Sequence, residues 1–212
     1  MVKDFLRQSP LAHLHLEARN PLGGASPDAG VLISELKHRT QITVRGQSTD
    51  PAFMQGIKKA LGFALPTQAC TAAGKADGLH ILWMGPDEWL VVAPPENEPL
   101  IMEKLIKALE GLDAALVDVS ESRTVIQLSG QQARAVLNKG CSIDLHPRTF
   151  TPGQVVNTLL ARAHITLHQT ATQKSTRFPT YDIYVHRSYA EYMWSWIEDA
   201  SREYGLEITA TK

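Results

Sequence analysis

Two short stretches hold most of the side chains that could do chemistry. Asp118 to Thr124, DVSESRT, crowds two carboxylates, two serines and a guanidinium against the apolar run VIQL. Gly85 to Leu90, GPDEWL, places Asp87 and Glu88 ahead of Trp89 and the run LVV. A strand end holds polar groups rigidly and still exposes them. Asp118 and Arg123 flank one bend, and Asp87 and Glu88 flank a hairpin turn; such groups can bind an anion, move protons or pair. Pairing within the fold or across a subunit contact is the default, ahead of ligand binding. Ser120 and Ser122 lie in neither a GxSxG turn nor an SxxK motif, so hydrogen bonding at a strand end accounts for them better than nucleophilic attack. No catalytic residue is expected.

Eight histidines invite a metal reading. His13 and His15 alternate, and His164 and His168 share a strand face four residues apart, but no carboxylate or cysteine completes a zinc-ligand set. Solvated or structural histidines are expected instead. No GxGxxG follows a strand and no GxxxxGK[ST] is present, so the chain offers no nucleotide cradle. Flavin or nicotinamide chemistry, if involved, belongs to another polypeptide. A net charge of −1, with scattered lysines and arginines, gives no reason to expect nucleic acid or an anionic membrane. Cys70 and Cys141 form no CxxC pair, which fits a reducing compartment. The N-terminus lacks the h-region of a signal peptide and no stretch reaches the length of a membrane span, so a cytoplasmic location is expected.

These side chains need a scaffold. Residues 1–30 are punctuated by Pro and Gly yet carry Leu11, Leu14, Leu16 and Leu22, and read as a docking segment, on its own domain or on another chain. Gln41 to Arg45 reads as a strand. Asp50-Pro51 reads as a cap and first turn, followed by Phe53, Ile57, Ala60 and Leu61 at helical spacing. Leu79–Met84 and Trp89–Ala93 form a hairpin about GPDE. Glu98 to Glu110 is a helix. Then come strand Thr124–Leu128, a short helix Gly130–Asn138, strands Val155–Leu160, Ile165–His168 and Tyr181–His186, and a helix Tyr189–Tyr204. The polar loop Thr170–Pro179 reads as an exposed hairpin connection.

The two halves share an order of strand, helix, strands and helix, which indicates a degenerate duplication with subdomains at 31–113 and 114–212. The fold class is α+β, helices on largely antiparallel sheets. On the last helix Tyr189 and Trp196 fall on the core stripe. Tyr192 and Trp194 fall off it and favour a protein interface, with core burial nearly as well supported.

GPDEWLVVAP (85–94), DVSESRTVIQLSG (118–130), VLNKGCSIDL (136–145) and YDIYVHRSYAEYMWSWIEDA (181–200) occur in this order. Together they resemble the gamma subunit of heterotetrameric sarcosine oxidase. The resemblance implies a two-subdomain fold similar to the folate-binding half of the glycine-cleavage T-protein, the second subdomain ferredoxin-like. It also implies a cytoplasmic complex with alpha, beta and delta chains. That enzyme, an oxidoreductase acting on a CH–NH donor with oxygen as acceptor, demethylates sarcosine to glycine, giving hydrogen peroxide and formaldehyde or methylenetetrahydrofolate. FAD, FMN, NAD, tetrahydrofolate and zinc are then expected on the partner subunits, with none on this chain. The T-protein folate carboxylate belongs to an Asp-Asp run entering a strand; here only Asp77, in DGLHI, stands near that place. The competing expectation is a stand-alone folate-binding one-carbon transferase or accessory protein.

Overall fold

The computed structural model describes residues 7–19, 29–170 and 178–209. Leu22 and most of the expected 170–179 connection lie outside those residues. The elements follow in the order β1 (Val31–Leu36), β2 (Thr40–Gly46), α1 (Pro51–Leu61), β3 (Ala72–Gly74), β4 (His80–Gly85), β5 (Glu88–Ala93), α2 (Glu98–Ala108), β6 (Ala114–Asp118), β7 (Arg123–Ser129), α3 (Ala133–Asn138), β8 (Val155–Leu160), β9 (Ala163–Gln169), β10 (Thr180–His186), α4 (Ala190–Ser201) and β11 (Leu206–Ile208).

Local chemistry sets several of these boundaries. Asp50 accepts the Ala52 N–H at 2.8 Å, Pro51 opens α1, and Gly62 in the left-handed region (φ 88°) closes it. Its buried side, Phe53, Ile57 and Leu61, packs with Ile101 and Leu105 of α2 over β2, β4 and β5. Trp89 is wholly buried there, 5.8 Å from the Phe53 ring, and its indole N–H donates to Pro66 O at 2.8 Å.

The strands form a five-stranded sheet ordered β3-β4-β5-β2-β6 and a six-stranded sheet ordered β11-β1-β7-β10-β9-β8. All neighbours are antiparallel except β1 with β11. Side-chain alternation gives each sheet two apolar faces. The outer face of the six-stranded sheet meets α3, α4 and the N-terminal Leu11 and Leu16. The inner faces meet each other through Leu36, Leu82, Leu90, Val92, Val125, Val155 and Tyr184. The result is four layers: helices, sheet, sheet, helices.

The sheets do not divide at residue 113. β1 belongs to the sheet built from the second half, and β6 to the sheet built from the first. The chain crosses between sheets twice, through 37–39 and through 119–122, and at each crossing the strand before the bend pairs with the other half's strands.

The described part of the N-terminal segment docks on its own chain. Two 3-10 turns, Ala12–Leu14 and Leu16–Arg19, set Leu11 and Leu16 into the six-stranded sheet's core. Ser9 Oγ donates to Glu35 Oε1 at 2.5 Å.

The last helix differs from its expected phase. Tyr189 lies in a 3-10 turn (Arg187–Tyr189), half-exposed, and α4 begins at Ala190. Counting from Ala190, the buried positions are Met193, Trp194, Ile197, Ala200 and Ser201. Trp194 is therefore a core residue and not a surface anchor, with its indole N–H donating to Glu198 at 3.1 Å. Tyr192 remains exposed, and Trp196 packs at the margin of the core.

Candidate functional site: the seam between the sheets

The DVSESRT stretch is the second crossing, and it is stitched to the first. Asp118 Oδ1 accepts from the Ser120 N–H at 3.0 Å and from its hydroxyl at 2.6 Å. Ser120 Oγ in turn accepts the Gln41 N–H at 2.9 Å, while the Val119 N–H donates to Gln41 O at 2.8 Å. The Gln41 side-chain amide donates to Arg123 O at 3.2 Å. Two sharp departures from sheet pairing would each strand backbone donors and acceptors; placed side by side they satisfy one another. Ser120 is buried because it fills that gap.

Asp118 and Arg123, expected to pair, do not meet in an ion pair within 4 Å. Asp118 is engaged by Ser120, and alternation along β7 sends Arg123 to the face carrying Val125. Burial pushes the Arg123 guanidinium below its usual range, and Glu88 acts against that. Glu88 lies 3.5 Å from Arg45, and Asp87 3.3 Å from the same guanidinium, both pairs open to solvent. Such exposed pairs contribute about 0–1 kcal/mol. Trp89, the next residue along β5, is core. Glu121 gathers cations instead: it pairs with Arg7, which also holds Glu98 at 2.9 Å, and with Arg187 at 3.1 Å. The seam is thus strapped from outside by the N-terminal segment.

Behind the seam, the space between the sheets holds polar side chains that the sequence reading did not single out as a group. His80 Nδ1 donates to Gly78 O at 3.0 Å, leaving Nε2 to accept the Tyr184 hydroxyl at 3.0 Å. His168 lies against His80, the two rings tilted by 35° with centroids 5.5 Å apart. Asp182 accepts the Gln127 amide at 2.9 Å. Burial pushes His80 down to about 4 and His168 to about 3, the latter also by its neighbour His80. Burial raises Asp182 to about 6, against its bond to Gln127 and the field of Arg39. Tyr184 is held well above its ordinary value, by burial first and then by Asp182. All four face a layer already filled by Leu82, Leu90, Val92 and Val125. The one sequence signal was the placement of His168, Asp182 and Tyr184 at alternate positions within apolar strands.

The candidate folate carboxylate, Asp77, is exposed in the turn before β4, whereas the carboxylate buried between the sheets is Asp182. Among the described residues no group of three or more His, Cys, Asp and Glu is placed to hold a metal ion, and Cys70 and Cys141 are free thiols. No helix among them is long and apolar enough to cross a membrane.

Four layers, a packed intersheet centre and a seam spent on its own hydrogen bonds define an α+β chain with the fold of glycine-cleavage T-proteins. Aminomethyltransferase T from Bartonella henselae matches at a TM-score of 0.70 and 18% identity, over 96% of this chain and 59% of that one, which establishes the fold alone. The chain belongs to the sarcosine oxidase gamma subunit family, whose model matches residues 45–203. Sarcosine oxidase subunit gamma from Arthrobacter sp. is 35% identical over 205 residues, covering 97% of this chain and 95% of that protein. The corresponding subunit of Corynebacterium sp. (strain P-1) is 33% identical over the same shares. A chain of heterotetrameric sarcosine oxidase from Corynebacterium sp. U-96, solved in complex with pyrrole 2-carboxylate, matches at a TM-score of 0.81 and 31% identity over 98% of both chains.

Proposed function

We propose that this chain is the gamma subunit of a heterotetrameric sarcosine oxidase, a structural member of an oxidoreductase that demethylates sarcosine to glycine and yields hydrogen peroxide. The observation that carries the reading is end-to-end likeness, in sequence and fold, to a chain of such an enzyme. The seam is consistent with it: Asp118, Ser120 and Glu121 are committed to holding the two crossings and the N-terminal strap together. Alpha, beta and delta chains are the partners, and FAD, FMN, NAD, tetrahydrofolate and zinc belong to them.

Tagged chain purified from its native host tests this by mass and absorbance analysis. Co-purification of three further polypeptides with flavin absorbance and sarcosine-dependent peroxide is the expected result. The same chain made alone should show neither absorbance nor peroxide. A lone chain that oxidises sarcosine would overturn the structural role. A stand-alone folate transferase is not favoured. The carboxylate at the place of the folate acid, Asp77, is exposed, and the centre between the sheets is occupied by side chains. Tetrahydrofolate should therefore bind this chain weakly or not at all by isothermal titration.

A further inference from the structure

An open cleft of about 390 Å³ lies at one end of the inner face of the six-stranded sheet, where the five-stranded sheet stops covering it. Strand register builds its floor. β8 pairs Leu159 with His164 and Asn157 with Thr166; β10 pairs Tyr184 with Thr166 and His186 with Arg123 of β7. Leu159, His164, His186 and Arg123 therefore form one row across four strands, with Asn157, Thr166 and Tyr184 in the row behind. Met84 of the β4–β5 hairpin forms the opposite wall and is tied down by the Asn157 amide at 3.3 Å.

The donors in the rear row are used. Thr166 donates to Asn157 at 2.7 Å and Tyr184 to His80. The front row is not. The half-buried Arg123 side chain has no hydrogen bond or ion pair among the described residues, feeling only the field of Glu88, which is itself beside Arg45. No acidic residue lines the cleft. A partly desolvated guanidinium without an acceptor is costly, and its planar fork matches a carboxylate. Leu159 and Met84 supply apolar wall, and the volume falls in the range of small-ligand sites.

We infer that this cleft binds a small organic carboxylate, its charged end held by Arg123 and the imidazoles of His164 and His186, and its apolar or aromatic body against Leu159 and Met84. A single guanidinium, with no second arginine or lysine lining the cleft, favours one carboxylate over a phosphate. The inference stands apart from the subunit assignment, since it rests on this chain's own cleft.

The full-length chain labelled with 15N-histidine can be titrated with benzoate while His164 and His186 are followed by NMR. Saturable shifts of both are expected, with Arg123→Lys weakening binding several-fold and Arg123→Ala at least tenfold. Leu159→Trp, at an exposed position, should block the cleft while leaving the melting temperature unchanged. In crystals of the assembled complex soaked with 4-bromobenzoate, an anomalous bromine peak should lie in the cleft. The inference is overturned by absent or non-saturable shifts, by shifts that survive both Arg123→Ala and Leu159→Trp, or by inorganic phosphate displacing benzoate at equal concentration. A partner's carboxylate filling the cleft in the complex would equally end it.

Discussion

Ser120 shows how a residue that looks reactive can be wholly structural. Its hydroxyl accepts the Gln41 N–H and donates to Asp118, and Ser120→Ala would leave the first a buried donor without an acceptor. That loss costs about 1–3 kcal/mol, against less than about 0.5 kcal/mol for an exposed control such as Lys58→Ala, measurable by urea denaturation. The buried histidines set a second test. The unfolded chain takes up protons on His80 and His168 near their ordinary 6.5, whereas the folded layer refuses them down to about 4 and about 3. The stability they contribute is thus whole above pH 6.5 and lost as pH falls toward 4. Asp182, raised to about 6, contributes in the opposite sense: its share is whole below 3.8 and lost as pH rises through 6. Two histidines outweigh one carboxylate. Urea denaturation should therefore show a net loss of roughly 2–4 kcal/mol between pH 7 and pH 4.5, and Asp182→Asn should stabilise the protein above pH 6 but not below 4. An unchanged midpoint across that range would mean that the layer is hydrated. The sequence named Asp118, Ser120 and Arg123 as one polar cluster but could not say that Ser120 would claim Asp118, because the claim depends on Gln41, a distant residue brought alongside by a crossing.

Elements were legible where caps, turns or spacing mark them. α1, α2 and β8 announce themselves through one buried side, and the β4–β5 hairpin and β10 through a turn and runs of β-branched and aromatic residues, although both faces of β5 and β10 are buried. β1 carries no such mark: Val31 to Leu36 is enclosed on both faces and its polar Ser34 and Glu35 are buried with the rest. Glu35 is tolerated there because Ser9 and Thr124 donate to it at 2.5 and 2.6 Å. β6 is missed for the opposite reason: an edge strand beginning with two alanines and largely exposed, it has little pattern to read. The phase of α4 slipped by one position at the Tyr189 turn, which moved Trp194 into the core. The N-terminal strap is the element whose contribution is easiest to measure. Leu11 is buried against the sheet, so Leu11→Ala should cost about 2–5 kcal/mol, and removing residues 1–19 should cost at least as much and expose the outer face to a dye such as ANS. A truncated chain with an unchanged melting temperature would show the strap to be dispensable.

At the scale of the molecule, the four-layer arrangement follows from reading the helices and sheets, but the interlocking of the halves does not. A division near 113 is natural for a duplicated sequence; pairing of β1 with β7 and of β2 with β6 is a long-range fact that no local pattern encodes. One physical outcome is cooperativity. With each sheet borrowing a strand across the division, heat and urea should unfold both cores in a single transition, and a chain divided at Gly111 should yield two fragments that fold only when mixed. Separate transitions in calorimetry would count against this. The interlocking also sets the order in which the molecule can be made. On the ribosome β1 emerges early, yet its two sheet neighbours, β7 and β11, are translated long afterwards. Until β7 appears Val31, Ile33 and Leu36 have no sheet to enter, so the nascent chain carries an unpaired apolar strand through all of the first half's synthesis. Chains stalled short of Arg123 should remain open to protease at β1, and protection should arrive only after β7 clears the exit tunnel.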